Sequence, residues 1–86
     1  MERNKIIELF INVLNEEFPN KENYYNNLSD NDKKEAVIDL FYDCAEIIDE
    51  ENPYLRDMEK NEDDRWYDNY IDEVCEIFEK LLSKQN

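Results

Sequence analysis

Carboxylates are the reactive groups this sequence holds in quantity. Its 86 residues carry 24 Asp and Glu against 10 Lys and Arg, a formal net charge of -14. Paired carboxylates do general acid–base work, and clusters of them bind hard cations. Acid pairs recur along the whole chain here, so none is singled out as a catalytic dyad. Asp30-Asn31-Asp32 opens like a calcium loop, but lysines follow it and the chain has no Gly for the sharp turn. Diffuse Mg²⁺ or Ca²⁺ binding is expected of so acidic a surface, without a dedicated site. There is no His, and no Ser or Cys has a base to activate it, so nucleophilic catalysis lacks its machinery. Cys44 and Cys75 cannot complete a zinc site without histidine. The sequence predicts no enzyme, no cofactor and no metal centre.

The spacing of the acids points to a different chemistry. Glu35, Asp39, Asp43, Glu46 and Glu50 follow one another at intervals of 4, 4, 3 and 4, which lines one helical stripe. Asp64, Asp68, Asp72, Glu76 and Glu79 form a second stripe, with Glu73 beside it. No Lys or Arg falls between Lys34 and Arg56, or between Arg65 and Lys80. Ordinary solvated faces mix signs, and these do not. One carboxylate per turn gives a charge every ~5.4 Å, and two adjacent rows one every ~2.7 Å, approaching the ~1.7 Å of duplex DNA. The natural complement is a basic surface built to hold nucleic acid. Trp66 and Tyr42 at the helix margins, with Tyr24, Tyr25 and Tyr54 in or near connections, are candidate interface anchors. The alternative for each is to close the end of a small core.

Helices must position these rows, and the apolar residues predict them. Ile6, Ile7, Phe10, Val13 and Leu14 share a face of a helix from about Glu2 to Glu17, ended by Phe18-Pro19. Residues 20–28, rich in Asn, read as a loop or a single loose turn. Ser29 is an N-cap for a second helix running to about Glu51, with Val37, Leu40, Phe41, Cys44 and Ile48 inward. Asn52-Pro53 starts a short helix from Pro53 to about Lys60, carrying Tyr54, Leu55 and Met58. Asn61 caps a last helix of near 22 residues, about Glu62 to Ser83, with Tyr67, Tyr70, Ile71, Val74, Cys75, Phe78, Leu81 and Leu82 inward. The expectation is one all-α domain over residues 1–86, a bundle of three long helices and one short one.

Size and composition bound the rest. High charge with low hydropathy is also a signature of disorder, but 13% aromatic residues and a clear helical period favour a folded chain. No apolar run approaches 18 residues, and Glu8 interrupts the first one, so neither a membrane span nor a secretory signal is expected. The two cysteines are expected as buried free thiols in a reducing cytoplasm, with a disulfide as the alternative. The Asn-, Lys-, Glu- and Ile-heavy composition suits an AT-rich bacterial or phage genome.

On the strength of the rows Glu35 to Glu50 and Asp64 to Glu79, the chain resembles a class of small acidic helical proteins. These are the nucleic-acid-mimicking antirestriction and anti-CRISPR proteins by which phages and mobile elements block host nucleases. The likeness is one of charge and helicity over about half the chain, and it carries no residue-by-residue motif. It implies a partner that handles DNA or RNA and whose groove is occupied. The segments Leu40-Phe41-Tyr42 through Asn52-Pro53, Asp63-Asp64, and Val74-Cys75-Glu76-Ile77-Phe78-Glu79-Lys80-Leu81 also resemble immunity proteins of the colicin D type, which neutralise nuclease toxins. The first 30 residues depart from that pattern. A helical adaptor that binds through an apolar groove is the reading from another class. The expected function is a non-catalytic inhibitor in the cytoplasm of a bacterial host, monomer or homodimer. Asp39, Asp43, Glu46, Asp68, Asp72 and Glu76 are its foremost contacts.

Overall fold

Ile6, Ile7, Phe10, Val13 and Leu14 are buried on the first helix, α1 (Arg3–Glu17). The Phe18 amide still bonds the Leu14 carbonyl at 3.2 Å, and Pro19, with no N–H, ends the run. The computed structural model describes residues 3–58 and 65–83. Where the sequence suggests a loop or a single loose turn, it has a second helix, α2 (Lys21–Asn26). Tertiary packing overrides the weak helix propensity of asparagine there. Tyr25 is buried, Lys33 lies over its ring at 5.4 Å, and the Asn26 amide donates to the Leu82 carbonyl at 3.3 Å.

The predicted cap opens α3 (Asp30–Glu51): the Ser29 hydroxyl accepts the Asp32 N–H at 3.3 Å. Asp30 and Asp32 stand in the first turn, where the helix dipole favours them. At the other end, the Asn52 backbone and side-chain amides both donate to the Ile48 carbonyl, at 2.8 and 3.0 Å. Pro53 does not take the first helical position expected of it. It lies in a turn closed by Leu55 N–H to Asn52 O at 3.0 Å, and only α4 (Leu55–Met58) follows. Leu55 is wholly buried and pins this short helix to the core. The expected cap Asn61, the end of the short helix near Lys60 and the start of the last helix lie outside the described residues.

The last helix also differs from expectation. Trp66–Tyr70 is a 3-10 helix, preceded by Arg65 in a non-helical conformation, and α5 covers only Ile71–Ser83. Its 13 residues span ~20 Å, against ~33 Å for the 22-residue α3. The described residues thus form an all-α fold of three long helices, two short ones and a 3-10 turn, with no strand. None of these helices is long and apolar enough to cross a membrane.

Side-chain pairs fix the topology. Tyr42 meets Asp68, and Asp49 meets Trp66, while Lys34 and Ile38 lie near Cys75 and Glu79, so α3 and α5 run antiparallel. Phe10 of α1 is the hub of the core. It stacks on Phe41 of α3 at 4.9 Å between centroids, and meets Trp66 at 6.3 Å and Phe78 of α5 at 6.5 Å. Such pairs contribute about 0.5–1.5 kcal/mol each beyond area burial.

Candidate acidic interface

The apolar stripe of α3 decides where its acids go. Val37, Phe41, Cys44 and Ile48 face the core, which turns Glu35, Asp39, Asp43, Glu46 and Glu50 to the opposite side. All five are exposed, and none forms an ion pair among the described residues. No basic residue stands in the last turn of α3, so Glu50 and Glu51 face the negative end of its dipole.

The second row is less open. Asp68 belongs to the 3-10 turn, is half-buried, and accepts the Tyr42 hydroxyl at 3.4 Å. Asp72, Glu76 and Glu79 are exposed on α5, but Glu76 pairs with Lys80 at 3.5 Å. Both of those side chains are exposed, so the pair screens charge and adds little stability. Glu73, beside the row, is taken by Arg3, whose guanidinium also lies over the Tyr70 ring at 4.6 Å. Asp64 lies outside the described residues.

The rows do not lie side by side. Asp72, Glu76 and Glu79 border the seam between α5 and α3, where α3 contributes Lys34, Val37 and Ile38. Asp39 and Asp43 border a different groove, against the Phe18–Tyr24 segment, and Glu35 adjoins it beside Tyr24 and Leu28. Lys34 and Ile38, the latter 43% exposed, stand between the rows. The reason is helical: the edge of α3 that meets α5 carries residues 34, 38 and 42, about 100° around the axis from Glu35, Asp39 and Asp43. The α3 row therefore offers one charge per ~5.4 Å, without the doubling expected of adjacent rows.

The aromatic anchors sort differently from expectation. Trp66 is only 1% exposed and belongs to the core, so it is corrected from interface to interior. Its indole N–H donates to Asp49 at 3.0 Å, and the same carboxylate receives the Arg56 guanidinium at 2.6–3.1 Å. The Arg56 hydrogen bonds, with that of Trp66, hold the Asp49 carboxyl below the usual carboxylate range against the opposing effect of partial burial. Tyr42 is half-buried, and burial together with the Asp68 charge pushes its phenol up. Tyr25 is buried, whereas Tyr24 is 61% exposed. Tyr54 is also exposed, donating to the Asn52 side chain at 3.1 Å. Sequence reasoning missed Asp49 and Lys21, the latter buried to 8% exposure. For Asp49 the signal was present: it follows Ala45 by four residues and Tyr42 by seven, on the core margin rather than in the acidic row.

Cys44 and Cys75 are free thiols. Burial, helped by neighbouring carboxylates, pushes Cys44 up to about 12 and Cys75 up to about 11, which keeps both protonated at neutral pH. Among the described residues no three Asp, Glu or Cys side chains converge as metal ligands would. No known protein family matches the chain, and no curated protein or solved structure matches it either.

Proposed function

We propose that this protein is a non-catalytic inhibitor that lays the acidic row of α3 into the basic nucleic-acid groove of a nuclease or defence complex, as a phage anti-defence protein would. The observation that carries this reading is the run Glu35, Asp39, Asp43, Glu46 and Glu50, exposed on a 22-residue helix and unpaired among the described residues. Such a row repels itself and gains only when a cationic surface meets it. Its axial spacing of ~5.4 Å compares with an axial rise of ~3.4 Å per phosphate on one strand, so the likeness is to a single backbone edge. Asp72, Glu76 and Glu79 extend the negative field across the α3/α5 seam. Neutralising a nuclease toxin in the manner of an immunity protein would use the same surface.

A competition assay tests the reading. Purified CRISPR effector and restriction complexes, and bacterial nuclease toxins, are titrated with the protein against labelled nucleic acid at 50 and 200 mM salt. With the five carboxylates of the row paired, inhibition of the true target falls by roughly 10²–10³-fold across that range. The variant Asp39→Lys/Asp43→Lys/Glu46→Lys loses inhibition and keeps its helicity. Inhibition that survives both salt and charge reversal would overturn the proposal. It would favour the adaptor reading, for which the exposed Ile38 in the α3/α5 seam is the supporting observation.

A further inference from the structure

The groove between the Phe18–Tyr24 segment and α3 is apolar on its floor and acidic on its rim. Phe18, Ala36 and Leu40 line a hollow of about 470 Å³, and Asp39 and Asp43 stand over it from α3. Lys21 forms part of the same wall. Tyr24, exposed on α2, lines this hollow and also the adjoining one that holds Asp32 and Glu35. Asp32, Glu35, Asp39 and Asp43 thus line the two hollows that Tyr24 borders, together with the ammonium of Lys21. A cavity with an apolar floor, an exposed aromatic face and excess negative charge selects a particular kind of side chain. It must have an aliphatic stem, a flat cation that stacks on a ring, and several donors for carboxylates.

We infer that this groove receives an arginine side chain of the basic partner. Its stem lies against Ala36 and Leu40, and its guanidinium sits between the Tyr24 ring and the carboxylates of Asp39 and Asp43. The inference rests on the inhibitor reading and adds a point of specificity to it. The rows supply attraction that any cation satisfies, whereas this groove distinguishes arginine from lysine. A lysine ammonium is a compact, strongly hydrated point charge and cannot present two parallel donors to a carboxylate.

A pair of peptides of equal charge tests it: nine arginines and nine lysines, each titrated into the full chain by calorimetry and followed by amide NMR. The arginine peptide is expected to bind about fivefold more tightly, as stacking on a partly exposed ring implies. Its largest shifts should fall at Tyr24, Ala36 and Leu40. Tyr24→Ala should erase the arginine preference while leaving salt-sensitive binding of both peptides and the helical circular dichroism in place, and Asp39→Asn/Asp43→Asn should erase the preference while weakening the binding of both peptides. Equal binding of the two peptides, or a preference that survives both variants, would overturn the arginine site and leave the inhibitor reading standing. Failure of either peptide to bind in a salt-dependent way would overturn both.

Discussion

The Asp49 carboxylate accepts the indole N–H of Trp66 at 3.0 Å, tying the end of α3 to the turn that opens the C-terminal segment. Asp49 is the acid of α3 that works inward. Its side chain is 15% exposed and its second commitment is to Arg56, which remains largely in solvent. The two bonds are therefore unequal in worth. The buried indole N–H has no water to fall back on, whereas the guanidinium does.

Substitution at this position should separate them. Asp49→Ala leaves the indole donor unsatisfied in the core and should destabilise the fold by about 1–3 kcal/mol. Asp49→Asn keeps an acceptor for Trp66 and should cost less, about 1 kcal/mol or below. Urea denaturation followed by tryptophan fluorescence, with the single Trp66 as probe, measures both. An alanine variant as stable as the asparagine variant would contradict the assignment.

The same carboxylate gives a pH dependence of known sign. Its folded pKa is depressed, chiefly by the Arg56 hydrogen bonds. Its contribution is therefore complete above the unfolded aspartate value of about 3.9 and is lost as pH falls through the lower folded value. Urea midpoints of the native chain and Asp49→Asn, compared from pH 7 downward, should differ by a constant amount until about pH 4 and converge below it.

Removing charge from the α3 row should stabilise the protein. Asp39→Asn/Asp43→Asn/Glu46→Gln eliminates the repulsions along Glu35 to Glu50, worth about 1–2 kcal/mol together. Melting should rise by about 5–10 °C at low salt. Added NaCl should close the gap by raising the native chain more than the variant. Inhibition should move the other way, weakening as the fold strengthens. A variant that melts lower than the native chain would show the row to be structural.

The thiols should be slow. With Cys75 pushed up to about 11 and Cys44 up to about 12, the thiolate is scarce at pH 8. Ellman's reagent should label Cys75 at least about a hundredfold more slowly than a free thiol, and wholly buried Cys44 only on unfolding. Rapid labelling of Cys44 in the native protein would contradict its placement.

How much of this was legible in the sequence depends on the range of the interaction. The 3.6-residue period and the Ser29 cap are local, and both α1 and α3 fall within a residue of their expected bounds. Helix α2 was not legible, because Asn20, Asn23, Asn26 and Asn27 read as loop. What overrides them is remote: Tyr25 in the core and Asn26 on the Leu82 carbonyl, 56 residues away. The 3-10 turn was hidden for a related reason. Tyr67, Tyr70, Ile71 and Val74 suit either helix type by spacing, and the choice falls to Trp66, drawn inward to Asp49 across 17 residues. The exposure of the α3 row followed from its own helix. Its separation from Asp72, Glu76 and Glu79 did not, since it depends on which edge of α3 meets α5.

The interlocked rings around Phe10 have an implication for how freely the outside can change. Cohesion comes from within, and the exposed row from Glu35 to Glu50 only subtracts from it. Replacements among those positions therefore escape the scrutiny that folding imposes on interior ones. Such a body tolerates rewriting of its exterior, position by position.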